Sequence, residues 1–326
     1  MLRTISPGVS KLIRHLLLII VFIISWIVGS LYTTGDQLNY TNVYNNISSY
    51  EIVPALVYYR FHLNSLELVH FFFIYFLSAY FEKVLLFSIL NTFFAYLIIR
   101  YFDQLKVSLL VTASFITTNF YVYVLFFTAE RLKFGLLILL IGLCMKAGSK
   151  LRLLTIFSSI FGHAQVVLIL APIIFEDGIR RLIKMLKTSR LKWSTLLFII
   201  PLLLIPFIWE YALFKFQSYR DNVIDSTSIF SFLRVTTFFI LAAFYANKVE
   251  TISKAFIVFI PLFIMVYLIG GDRVNMIAYM YFLYFALRYK NGLNAGILIT
   301  TLYFFWKTIM FLVSISIYGN GFNQVY

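Results

Sequence analysis

The chain has 326 residues, 62% hydrophobic and only 12% charged, with a mean hydropathy of +0.91. A soluble protein of this length needs far more charge to cover its surface, so the composition excludes a soluble globular domain and indicates an integral membrane protein. The net charge of +14 invites a nucleic-acid reading, but Arg180, Arg181, Lys184, Lys187, Arg190 and Lys192 crowd one segment, "EDGIRRLIKMLKTSRLK", as in a loop kept cytoplasmic by the positive-inside rule.

Residues 16–31, "LLLIIVFIISWIVGSL", follow Arg3, Lys11, Arg14 and His15. No A-x-A-like site comes next, so the run reads as an uncleaved first span with its N-terminal side inside. The stretch "YTTGDQLNYTNVYNN" then faces outside and opens an outer-face loop, 32–65, that carries an interfacial helix. Spacing of four sets Asp36, Tyr40 and Tyr44 along one helical face, drifting about 40° per step. Taken singly, Asp36 also reads as a helix cap and the rings as belt tyrosines. In "SYEIVPALVYYRFH", Glu51, Pro54, Tyr58, Tyr59, Arg60 and His62 suit a helix lying on the membrane, aromatics down and charges up.

Apolar runs follow near 66–80, 84–99, 107–119, 132–146, 150–161 and 164–175, several short for a crossing of ~20 residues. The basic stretches "RYFDQLK" and "KAGSKLR" belong inside, which puts Arg131 and His163 near the outer face. That requires an odd number of crossings between residues 50 and 100, supplied by one bent span or by a half-helix at 52–63. Arg131, in "FTAERLKFG", enters an apolar span; its guanidinium can clamp a phosphate or carboxylate, snorkel, or pair with neighbouring Glu130. His163 and Gln165 sit between two apolar runs, where the cost of a polar group in a bilayer makes function compete with packing as its reason. Cys144, the one cysteine, excludes disulfides and thiolate metal sites and reads as a packing residue.

Beyond the basic cytoplasmic loop, 176–193, spans are expected at about 194–213, 228–246, 255–269, 274–288 and 295–317. Parity places "SYRDN" (Tyr219, Arg220, Asp221) and "GGDRVNMIAY" (Asp272, Arg273, Asn275, Tyr279) outside. The sum is about ten to eleven spans in one integral membrane domain, 1–326, an all-α polytopic bundle. Strand alternation of the outer-membrane barrel kind is missing. Walker A, GxGxxG, HExxH and GxSxG signatures are missing too, so no nucleotide, cofactor or metal is expected.

Five loose motifs run in order: "GDQLNYTNVYNNI", "YEIVPALVYY", "ERLKFGLLILL", "FGHAQVVLI" and "GDRVNMIAYMYF". In that order the chain resembles the EpsG-like family of bacterial polysaccharide polymerases, relatives in role of the Wzy O-antigen polymerases. It departs from the family pattern at Leu132, where glutamine is frequent, and around His163, with Gly162 inserted after Phe161 and Ala164 in place of serine. The resemblance implies a GT-C-like glycosyltransferase of the bacterial inner membrane whose active site faces the periplasm or exterior. Such an enzyme moves a growing glycan from undecaprenyl pyrophosphate onto a lipid-linked repeat unit. Its implied partners are the lipid-linked oligosaccharide donor and acceptor, membrane lipids and a chain-length regulator, with no nucleic acid.

On this reading Asp36 or His163 is the base, and Arg131, Arg220 and Arg273 hold the pyrophosphate, Arg273 next to the chemistry. Tyr40, Tyr44, Glu51, Arg60 and Tyr279 complete the substrate contacts. A lipid-linked oligosaccharide flippase is the alternative, although the repeat-related halves common in transporters are not seen. A membrane acyltransferase using His163 is a third reading.

Overall fold

The computed structural model describes residues 6–64, 67–188, 229–246, 249–269 and 271–322. Every regular element among them is a helix, in keeping with the all-α expectation. In chain order these are α1 (Pro7–Leu31), α2 (Asp36–Asn46), α3 (Ile52–Leu63), α4 (Leu68–Leu77), α5 (Lys83–Gln104), α6 (Leu109–Thr118) and α7 (Phe120–Phe127). There follow α8 (Glu130–Cys144), α9 (Lys150–Gly162), α10 (Val166–Thr188), α11 (Ile229–Tyr245), α12 (Val249–Ile269), α13 (Gly271–Ala286) and α14 (Ala295–Tyr318). They gather into two compact units, one running to Val166 and resuming at Lys290, the other spanning Val167–Tyr289.

Among the described residues three helices are long and apolar enough to cross a membrane: Gly8–Leu31, Lys83–Gln104 and Tyr289–Tyr318, of 24, 22 and 30 residues. A fourth crossing is available if α6 and α7 act as one broken span, bent by 53°. The break falls at Asn119, whose side chain accepts the Tyr121 amide at 3.0 Å and so starts a new helix where hydropathy alone suggests one run. The runs at 66–80 and 150–161 become α4 and α9, of 10 and 13 residues. At 1.5 Å per residue these are about 15–20 Å long, well short of a ~30 Å hydrocarbon core. Among the described residues, then, three or four helices have the length and composition of spans, fewer than hydropathy suggests; the span expected at 194–213 lies outside them.

In the first unit α2 and α3 fold over one end of α4, α5 and α8. Val43, Ile47, Ala55 and Tyr59 have no exposed surface there. They pack with Phe71, Ile74, Leu86, Phe87 and Phe134. Behind this layer α8 and α9 lie against each other along a glycine seam. A Cβ on Gly162 would stand 2.7 Å from the Gly135 Cα, and one on Gly142 would stand 2.8 Å from Ile156. Hydrogen at these positions is what lets the two backbones approach so closely. The end of α14 closes the unit: Gly319, at φ +64, accepts the Thr33 and Thr34 amides at 3.1 and 2.9 Å.

The described residues of the second unit form α10 to α13. Residues 176–188, expected as a loop, continue α10 as helix. Glu176 pairs with Arg180 one turn on and stands 3.6 Å from Lys254 of α12. A Cβ on Gly271 would overlap Ser231, so α11 and α13 meet at that glycine, and Phe238 packs on Tyr279 with ring centroids 5.5 Å apart.

Candidate functional site

Arg131 is the second residue of α8. It does not pair with Glu130, because successive helical residues point about 100° apart. Its Nη1 donates to Glu67 Oε2 at 3.2 Å and to the Leu63 carbonyl at 3.1 Å, and its Nε donates to the Tyr40 hydroxyl at 3.2 Å. Glu67 precedes α4, and its other oxygen, Oε1, lies 3.4 Å from His163 Nε2. His163 leaves α9 in extended conformation, and its Nδ1 accepts the Gln165 amide at 3.1 Å. With Nδ1 accepting that amide, Nε2 is the ring nitrogen left to hold a proton on the side of Glu67. The Gly135–Gly162 seam is what brings the imidazole so near α8: a Cβ on Gly135 would stand 3.1 Å from the His163 Cβ.

The network continues inward. Tyr59 OH lies 3.5 Å from Glu67 Oε2 and 2.9 Å from Nδ1 of His70, which is 1% exposed. Burial pushes the Tyr40 hydroxyl up to about 12 with the Arg131 charge opposing, while burial and then the Glu67 charge raise Tyr59 well above an ordinary phenol. Both phenols therefore stay protonated and able to donate. Glu67 is 8% exposed, and a carboxylate so buried needs the compensation that Arg131 supplies.

Tyr40 also borders a second ionic group: Lys83 Nζ and Arg131 Cζ each lie 5.7 Å from its ring centroid. Lys83, first residue of α5, donates to Gln37 Oε1 at 2.6 Å and Thr41 Oγ1 at 3.1 Å, and stands 3.3 Å from Glu130 Oε1. Gln37 Nε2 donates to Glu130 Oε1 at 2.7 Å and to the Phe127 carbonyl. Deeper still, the fully buried Lys133 donates to Asn91 Oδ1 at 2.5 Å and the Phe126 carbonyl at 3.1 Å. Beside these groups opens a cavity of about 560 Å³, bordered by Gln37, Thr41, Tyr44, Lys83, Asn91 and Glu130 among others. It lies where the C-terminal ends of α1 and α7 meet the N-terminal ends of α5 and α8, with α2 alongside.

The structure thus brings Tyr40, Arg131 and His163 together around Glu67. Other candidates fall elsewhere. Asp36 is exposed as the first residue of α2, and the buried face is Gln37, Tyr40, Val43 and Tyr44. Helical side chains lean toward the preceding turn, and Asp36 has none to lean on; its carboxylate sits instead at the positive end of the helix dipole. Tyr44 turns to the cavity, its hydroxyl donating to the Phe81 carbonyl at 2.8 Å. Glu51 and Arg60 are exposed on α3 and its lead-in, outside the network, and Val53, Val57 and Phe61 of the same helix are exposed with them. Arg273 is exposed and Tyr279 buried, both in the second unit. Arg220 lies outside the described residues.

Glu67, His70, Lys83 and Gln37 are not singled out by sequence reasoning. Their signal is ionisable or amide groups bounding apolar runs, as in "LELVHFFF" and "FEKVLL". Reading 66–80 as one uniform run hides Glu67 and His70.

Fold and site together define, among the described residues, an all-helical protein with three or four helices fit to cross a membrane, whose first unit is organised around a buried ionic network and an adjoining polar cavity. Comparison with protein-family models, curated proteins and solved structures yields no match.

Proposed function

We propose that this protein is a polytopic, GT-C-like glycosyltransferase of the bacterial inner membrane that polymerises undecaprenyl-pyrophosphate-linked repeat units into O-antigen, capsule or exopolysaccharide on the outer face. The observation supporting this reading is the buried Glu67 carboxylate shared between Arg131 and His163. Glycosyl transfer asks for a base at the acceptor hydroxyl and positive charge near the departing phosphate, and this cluster holds both. The acceptor oxygen attacks the anomeric carbon, the bond from that carbon to the pyrophosphate breaks, and the lipid pyrophosphate leaves with the electron pair. Glu67 takes the acceptor's proton, His163 orients the carboxylate, and Arg131 supplies positive charge to offset the extra negative charge that the pyrophosphate gains as it leaves. Glu67 thereby replaces the exposed Asp36 as the acidic group of the site.

The test is Glu67→Gln and His163→Ala, made separately in the producing strain. Loss of a positioned acid–base group lowers turnover on the order of 10²–10⁴-fold, so the glycan ladder should collapse to single repeat units displayed outside, with protein levels unchanged. Normal ladders at normal protein levels would overturn the assignment. Units trapped inside the cell would favour a flippase.

A further inference from the structure

The cavity beside Lys83 and Glu130 takes no part in the proton transfer described above, and its hydrogen-bond inventory restricts what it can hold. An ammonium has three N–H donors. Those of Lys83 face Gln37 Oε1 at 2.6 Å, Thr41 Oγ1 at 3.1 Å and Glu130 Oε1 at 3.3 Å. The Gln37 amide nitrogen is likewise committed, to Glu130 Oε1 and the Phe127 carbonyl. A phosphate entering here meets no unused N–H on either side chain. The Glu130 charge is balanced by Lys83, which leaves Glu82, on the exposed rim, as the unbalanced lining charge that opposes a phosphate.

What remains is an acceptor. Glu130 lines the cavity with its side chain 5% exposed, and its Oε2 has no hydrogen-bond partner among the described residues. That oxygen is closed to solvent as it stands, and a buried acceptor without a donor is costly, so an O–H that meets it on a turn of the carboxylate is favoured. Thr41, which accepts from Lys83, still has its own hydroxyl hydrogen to give. Part of the wall is aromatic, with Tyr44 and Phe87 set edge to face at 6.3 Å. The volume of about 560 Å³ falls within the range of about 300–1,000 Å³ common to small-molecule sites. An uncharged ring with hydroxyl donors on its edge and a C–H face for the aromatic wall satisfies each of these features.

We propose that this chamber binds an uncharged, polyhydroxylated sugar ring, with Glu130 on its wall as the acceptor for one hydroxyl. The proposal deepens the polymerase reading and rests on it for the class of ligand: the chamber would hold a sugar of the repeat unit, away from the pyrophosphate.

The experiment is saturation-transfer difference NMR on the full chain in lipid nanodiscs, since maltoside detergents carry the group under test. The probes are glucose, galactose, N-acetylglucosamine and glucose 6-phosphate. Ring-proton signals are expected from at least one neutral sugar, with the phosphorylated probe at least tenfold weaker. Asn45→Trp, at an exposed position on the cavity wall, should block entry and abolish the signal. Glu130→Gln should weaken it, and Asn45→Trp keeps the test valid if Glu130→Gln does not fold. Absence of signal, equal binding of the phosphate, or a signal that survives Asn45→Trp overturns the proposal. If neutral-sugar binding is absent while His163→Ala still collapses the glycan ladder, the chamber proposal falls and the polymerase reading stands. If sugar binding is lost in Asn45→Trp yet glycan ladders stay normal, the chamber is a sugar site outside polymerisation.

Discussion

Glu67 and Arg131 occupy a place where neither could stand alone. Glu67 is 8% exposed, and Arg131 reaches it at 3.2 Å while also bonding Tyr40 and the Leu63 carbonyl. Removing one member of a buried pair leaves an uncompensated charge and costs about 3–5 kcal/mol. Arg131 keeps 22% of its side chain exposed, so the lower end, about 3 kcal/mol, is expected for Glu67→Ala. Glu67→Ala combined with Arg131→Ala should lose less than the sum of the single changes, because the double variant buries no orphan. Denaturant unfolding in nanodiscs measures both, and strict additivity would show that the pair is not coupled. At this scale the sequence makes Arg131 and His163 visible, as polar groups where apolar ones are cheaper. It does not identify their shared partner, Glu67, which comes from the lead-in to α4.

The helix pair α8–α9 controls where His163 stands. At Gly162 an added Cβ would meet the Gly135 Cα at 2.7 Å, backbone against backbone, with no flexible side chain able to give way. Gly162→Ala should therefore cost about 1–3 kcal/mol and move His163 off Glu67. Gly8→Ala is the matched control, since a Cβ there meets nothing within 4 Å and α1 gains the better helix former in its first turn, about a few tenths of a kcal/mol the other way. Unfolding midpoints of opposite sign are the expected result; a neutral Gly162→Ala would remove the seam as the positioning device. The α2 face shows what periodicity does and does not carry. Spacing of four finds Tyr40 and Tyr44, both buried, but the third buried polar residue is Gln37, because the first position of a helix has no turn beneath it.

For the molecule as a whole, charge placement makes a topological claim that the lone cysteine allows to be checked. Asn45 lines the cavity near the start of α8, and Lys146 follows that helix's C-terminal end; both are exposed. In a Cys144→Ser background, Asn45→Cys should react with a membrane-impermeant maleimide on intact cells. Lys146→Cys should react only after permeabilisation. Labelling of both from one side would refute the orientation read from the basic loops.

Helical class and membrane-compatible composition are decided by the sequence itself, because partitioning into hydrocarbon and helix formation depend on sums over about twenty neighbouring residues. Arg131 and His163 stand out for the same local reason. Which charges meet is another matter. Glu67 lies 64 positions from Arg131 in the chain, and Lys83 lies 46 from Gln37. Those pairings, and the cavity beside them, follow from where the α8–α9 glycine seam and the fold of α2 over α5 and α8 set the side chains. Tertiary packing alone decided them, since a buried charge selects its partner by distance in space and not by distance along the chain.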